Sequence, residues 1–194
     1  MFIGVLLKYK RKMLCLISMI DTRSKNFARI SLGLIVIIFA FLALFRLDRA
    51  DMLGDQATYS FRSVGYLDYL DSDLQPTPLH WFDELPSWTK LSFHDAPPLV
   101  FGVQHLFFEA FGVSVFNARL PFALVGIVSV LLLYSLGKRL FGESVGLLSA
   151  AIFSILNLQL ISSRTGNLEG FVVMFSILAL YGLARAVERG DGIK

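Results

Sequence analysis

Long uncharged apolar runs alternate with short charged links along this chain of 194 residues. The first run, ISLGLIVIIFAFLALF (30–45), is bracketed by Arg29 and Arg46. Three more follow: PFALVGIVSVLLLYSLG (121–137), VGLLSAAIFSILNLQLIS (145–162) and FVVMFSILALYGLA (171–184). Each approaches the roughly 20 apolar residues that carry a helix across a bilayer. The pattern therefore predicts an all-α fold, a polytopic membrane helical bundle with four transmembrane helices. Between the first two runs lies a long polar loop, 47–118. Its last part, PLVFGVQHLFFEAFG (98–112), is apolar but short, and His105 and Glu109 fall four apart on one helical face. That spacing predicts a re-entrant or surface helix rather than a fifth span. Earlier in the loop, RADMLGDQATYSFRSVGYLDYL (49–70) places Ala57, Phe61, Val64 and then Tyr66 or Leu67 at helical spacing. It predicts an amphipathic helix lying on the membrane.

Composition agrees: 55% of residues are hydrophobic and 17% charged, with a mean hydropathy of +0.64, whereas a soluble domain carries about 25% charged residues. The net charge is only +3 and the bases sit beside apolar runs, so they read as topology signals and not as a nucleic-acid surface. Seven bases (Lys8, Lys10, Arg11, Lys12, Arg23, Lys25, Arg29) face one acid, Asp21, ahead of the first span. This places the amino terminus in the cytoplasm. The loop 47–118 holds ten acids against Arg49, Arg62 and Lys90, as an external loop would. With 98–112 not crossing, Lys138, Arg139, Arg185 and Arg189 all return to the cytoplasmic side. Residues 1–29 read as a cytoplasmic leader, with Met13 or Met19 as alternative starts. A single cysteine, Cys15, excludes an intrachain disulfide.

Under this topology Asp55, Asp95, Arg164 and Glu169 share the outer face. Asp55 follows Gly54 at a helix start, where a carboxylate serves either as a cap or as a general base for an attacking hydroxyl. In FHDAPPL, Pro97 and Pro98 hold the preceding residues extended, fixing His94 and Asp95 at the membrane lip. One His–Asp pair is a sparse metal site, since three or four ligands are the rule; a divalent metal stays open. SSRTGNLEG (162–170) reads as a turn, with Arg164 suited to a phosphate oxygen or to snorkelling. Trp81 and Trp88 serve as sugar-stacking or interface residues, and ALVGIVS (123–129) offers small residues for close helix contact. The span centres carry no acid or base, which argues against a transporter.

Taken in order, Asp55-Gln56, HDAPPL, FGVSVFNARLPFALVGIVSVLLLYSLGKRLFG and SRTGNLEG make residues 30–188 resemble the amino-terminal part of a GT-C glycosyltransferase. The match is to the dolichyl-phosphate-mannose–protein mannosyltransferase family, which includes the lipid A aminoarabinose transferase. The resemblance implies that 30–194 is the amino-terminal part of a GT-C transmembrane module in the cell membrane. It implies inverting transfer of a sugar from a polyprenyl-phosphate carrier to an acceptor lipid, glycan or protein outside the cytoplasm. Asp55 would be the base, with His94, Asp95, Arg164, Glu169 and Gln56 contacting substrate. Gln56 stands where the family usually has Glu, and Ala96 where some members have a phosphate-binding Lys, which leaves Arg164 as the candidate cation. Family members continue through many more helices. The alternative is a non-catalytic membrane scaffold, a partner subunit or an inactive fragment.

Overall fold

The computed structural model describes residues 25–52, 54–64 and 98–189, and among these it holds helices and no strand. In chain order the helices are α1 (Lys25–Leu44), α2 (Asp55–Val64), α3 (Pro98–Phe111), α4 (Val115–Phe141), α5 (Glu143–Ile155), α6 (Asn157–Arg164) and α7 (Glu169–Arg189). Three of them, α1, α4 and α7, are long and apolar enough to span a membrane, and α5 with α6 forms a fourth, broken span. The protein is a multi-pass membrane bundle.

Helix α4 is the axis of that bundle: α1, α3, α5, α6 and α7 all pack on it. Ser114 starts it, its Oγ accepting from the Asn117 amide at 3.1 Å. Asn117 Nδ2 in turn donates to the carbonyls of Phe111 and Gly112 at 2.9 and 2.8 Å, closing the α3–α4 link. Gly112, at φ +83°, supplies the left-handed turn there. The core divides into two clusters. Phe39, Ala43, Leu47, Ala123, Val130 and Ala150 join α1, α4 and α5. Val100, Phe122, Val125 and Phe171 join α3, α4 and α7. Outward on α1, apolar side chains such as Ile30, Leu34, Ile37 and Phe41 stay exposed, as a lipid-facing helix requires.

Small residues let the helices approach. In the 123–129 stretch Ala123, Gly126 and Ser129 are buried, and a Cβ on Gly126 would collide with Ser163 Oγ and stand 3.0 Å from Phe39 Cζ. Gly137 and Gly146 meet likewise where α4 crosses α5.

Two sequence expectations change in detail. The run 145–162 is not one straight helix: it bends by 63° at Leu156, whose ψ of 125° is extended. No proline or glycine marks that break. The bend accompanies the burial of Gln159, Ser162 and Ser163 on α6, polar side chains that lipid would not satisfy. The second span begins at Val115, six residues ahead of the apolar run, because Ala118 and Arg119 face the interior.

The chain's parity follows from contacts. Arg119, near the start of α4, bonds to Leu47 just beyond α1, and Arg164 at the end of α6 bonds to carbonyls at the end of α1. At the other end Arg139 pairs with Glu188, and Lys138 with Glu143 at 2.6 Å. Helix α3 does not cross: Val100 packs on Phe122, Val125 and Phe171, while Asn117 holds the α3 carboxyl end. Both its ends thus lie along the first half of α4.

Candidate functional site

One end of the bundle gathers α2, the start of α4 and the 164–169 turn. Gly54, at φ +60°, carries the first carbonyl of α2, accepting from the amides of Ala57 and Thr58 at 3.1 and 3.3 Å. Asp55 is therefore the first helical residue and not the cap. Its carboxylate is exposed and lies at the positive end of the helix dipole. Among the described residues nothing hydrogen-bonds or ion-pairs with it.

Helix α2 turns its polar face inward: Gln56, Ser60 and Ser63 are buried, while Ala57 and Val64 are exposed. Buried Gln104 of α3 receives that face. Its Oε1 accepts from Ser63 Oγ at 2.5 Å, and its Nε2 donates to Ser60 Oγ at 3.1 Å and to the Ala118 carbonyl at 2.6 Å. His105 Nδ1 lies 2.9 Å from the Ser63 carbonyl, so this histidine fastens α2 to α3. Glu109, its partner in the interfacial-helix reading, is exposed.

At the other end of α2 stands Arg119, only 3% exposed. Its Nη1 donates to the Leu47 carbonyl at 2.7 Å and its Nη2 to the Asp51 carbonyl at 3.0 Å. With its carboxamide oxygen turned to the guanidinium, Gln56 accepts from Nε and Nη2 at 2.5 and 3.0 Å. The charges of Asp48, Asp51 and Arg164 also act on Arg119. Gln56 touches the third element too, since a Cβ on buried Gly166 would lie 3.1 Å from Gln56 Cγ. The start of α2 and the 164–169 turn are thus in van der Waals contact.

Arg164 donates to the carbonyls of Leu42 and Ala43, which the end of α1 leaves without intrahelical partners, and to that of Arg46 just beyond it. Among the described residues no carboxylate pairs with it. Glu169 is the first residue of α7, exposed and likewise without a partner among the described residues. Of the sequence-derived candidates, Asp55, Gln56, Arg164 and Glu169 therefore share this end of the bundle. His94 and Asp95 lie outside the described residues, as do Trp81 and Trp88. Among the described residues no three His, Cys, Asp or Glu side chains gather to hold a metal ion. Sequence reasoning had assigned no role to Arg119 or Gln104. The signal for Arg119 was an arginine placed just inside an apolar run, and for Gln104 a carboxamide within an otherwise apolar helix.

A multi-pass α-helical membrane protein with a polar cluster at one end is the class that this arrangement defines. Residues 95–194, a little over half the chain, match the family described as dolichyl-phosphate-mannose-protein mannosyltransferase. The chain belongs to that family. The match covers its carboxyl-terminal half, including Arg119, Arg164 and Glu169, and not the wider stretch from residue 30 that the motifs suggested. Two Bacillus subtilis (strain 168) proteins are similar over 96 residues, half of this chain. "Putative mannosyltransferase YycA" is 34% identical and "Putative mannosyltransferase YkcB" 31%. The matched stretch spans only 14% and 13% of those proteins. No solved structure matches.

Proposed function

We propose that the chain takes part in transferring a sugar from a polyprenyl-phosphate carrier to an acceptor at the extracytoplasmic membrane face, with Asp55 as general base. Family membership supports the reaction class. The observation that carries the assignment of Asp55 is its place: an exposed carboxylate, without a partner among the described residues, at the head of α2, whose next residue packs against the turn between Arg164 and Glu169. In the proposed step an acceptor hydroxyl gives its proton to the Asp55 carboxylate, and its oxygen attacks the anomeric carbon from the face opposite the phosphate. The bond from that carbon to the phosphate oxygen breaks, the electron pair leaves with the polyprenyl phosphate, and the configuration inverts. Three carbonyls fix the position of Arg164 and, among the described residues, no carboxylate pairs with it, so it is suited to offset the charge developing on the phosphate. Glu169, Gln56, His94 and Asp95 are the proposed contacts to the sugar and acceptor.

The bundle end with Lys138, Arg139 and Arg185 carries the basic residues of the last turn of α4 and of the carboxyl-terminal part of α7. In this reading it is the cytoplasmic end, which places the amino terminus in the cytoplasm of a cell-membrane protein. The test is transfer of labelled mannose from dolichyl-phosphate mannose by the chain reconstituted in vesicles. Asp55→Asn should lower the rate by about 100-fold or more, the usual contribution of a positioned base. Unchanged transfer would remove Asp55 from that role. A native chain that transfers nothing favours the second reading, a non-catalytic partner subunit.

A further inference from the structure

Helix α2 is fastened to the bundle at two places. Gln104 and His105 hold its second half through Ser60 and Ser63. Its first turn is hydrogen-bonded to the bundle through Gln56 and Arg119. We propose that Arg119 is a positioning residue: its guanidinium sets the angle at which the first turn of α2, and with it Asp55, meets the rest of the site. This inference rests on the assignment of Asp55 as base.

The geometry is specific. Four of the five N–H groups of Arg119 are used: Nε once, Nη1 once and Nη2 twice. All of the acceptors, Leu47 O, Asp51 O and the Gln56 carboxamide, belong to the ten residues that link α1 to the first turn of α2. A buried guanidinium is costly unless its donors are satisfied, so the segment is drawn to one arrangement. A flat, forked donor can hold three acceptors in a fixed relation, as a lysine ammonium cannot. None of these acceptors is a carboxylate. Gln56 therefore fastens the turn without adding a second negative charge beside Asp55, and without cancelling the charge of Arg119. Remove the guanidinium and α2 stays attached through its second half, at Gln104 and His105, free to pivot there and carry Asp55 with it.

Backbone hydrogen exchange on the reconstituted chain reads the clamp without reference to chemistry. Arg119→Met should speed exchange across residues 47–57 by about tenfold or more while α4 and α7 keep their protection. Unchanged exchange in 47–57, or an equal loss in every helix, overturns the proposal. The same variant should lower kcat for transfer from dolichyl-phosphate mannose by about tenfold with KM altered less than about twofold. Arg119→Lys should recover part of that loss, and it reads the same segments if the methionine variant fails to fold. Gln56→Glu should keep the turn protected, since its carboxylate would also accept from Arg119. If Asp55→Asn transfers normally, the base assignment is what fails. If Asp55→Asn is dead while Arg119→Met keeps its native kcat, the positioning role is what fails.

Discussion

Where α5 crosses α4, Gly146 lies against the backbone of its neighbour, and alanine there should destabilise the bundle. Its Cβ would stand 2.7 Å from the Tyr134 carbonyl oxygen, 2.8 Å from the Lys138 nitrogen and 3.0 Å from Lys138 Cβ. The first two are backbone atoms and cannot swing aside. Carbon against a carbonyl oxygen settles at about 3.3 Å or more, so the two helices must part by roughly half an ångström. Overpacking of this kind costs about 1–3 kcal/mol, and alanine returns about 1 kcal/mol of helix propensity. The net loss should reach about 2 kcal/mol at most, with about 1 kcal/mol the central expectation. Gly182 on α7 is the internal control, because a Cβ there meets nothing within 4 Å. Gly182→Ala gains the same propensity with no clash, so the two variants should differ by about 2 kcal/mol. Unfolding by SDS in mixed micelles, followed by far-ultraviolet circular dichroism, measures both. Equal stability of the two variants would refute the close α4–α5 crossing.

Other expectations are as direct. Gln104→Leu keeps approximate volume but leaves Ser60 Oγ without its partner and Ser63 Oγ with the Tyr59 carbonyl alone, and should cost about 1–3 kcal/mol in the same unfolding assay; a loss under about 0.5 kcal/mol would deny the hub. In a Cys15→Ser background, Glu169→Cys should react with an impermeant maleimide applied outside cells and Arg185→Cys should not. The reverse pattern would invert the proposed orientation.

Much of the architecture was legible because lipid leaves few choices. Uninterrupted apolar runs between charges had to be helices, and α1, α4 and α7 formed where those runs lay. The short run ending at Phe111 was also readable as non-spanning, from its length and from where the opposite choice would have placed Lys138 and Arg139. The bend at Leu156 was not readable. It has no proline or glycine, and its cause is tertiary: Ser163 must meet Gly126 on a helix that the local sequence does not name. For the candidate site, residue type pointed to Asp55, Arg164 and Glu169, whose exposed or half-exposed charges stand out in an apolar chain. It could not show that Arg164 is tied to the end of α1. It could not show that Gln56 faces an arginine 63 positions away, since pairing over that distance depends on helix packing alone. The inward polar face of α2 was hidden because the more visible apolar spacing lies on its other side.

The tethers at the end of α1 also impose an order on synthesis. Its terminal carbonyls at Leu42 and Ala43 wait for a guanidinium that lies 121 or 122 positions downstream, and the Leu47 carbonyl just beyond them waits 72 positions for Arg119. While the ribosome is still making the intervening chain, water must occupy those acceptors, and α1 rests in the bilayer with its carboxyl-terminal tip unsealed. Emergence of α4 fastens the tip once and emergence of α6 fastens it again, so this face of the molecule is finished only when the broken span has been threaded through.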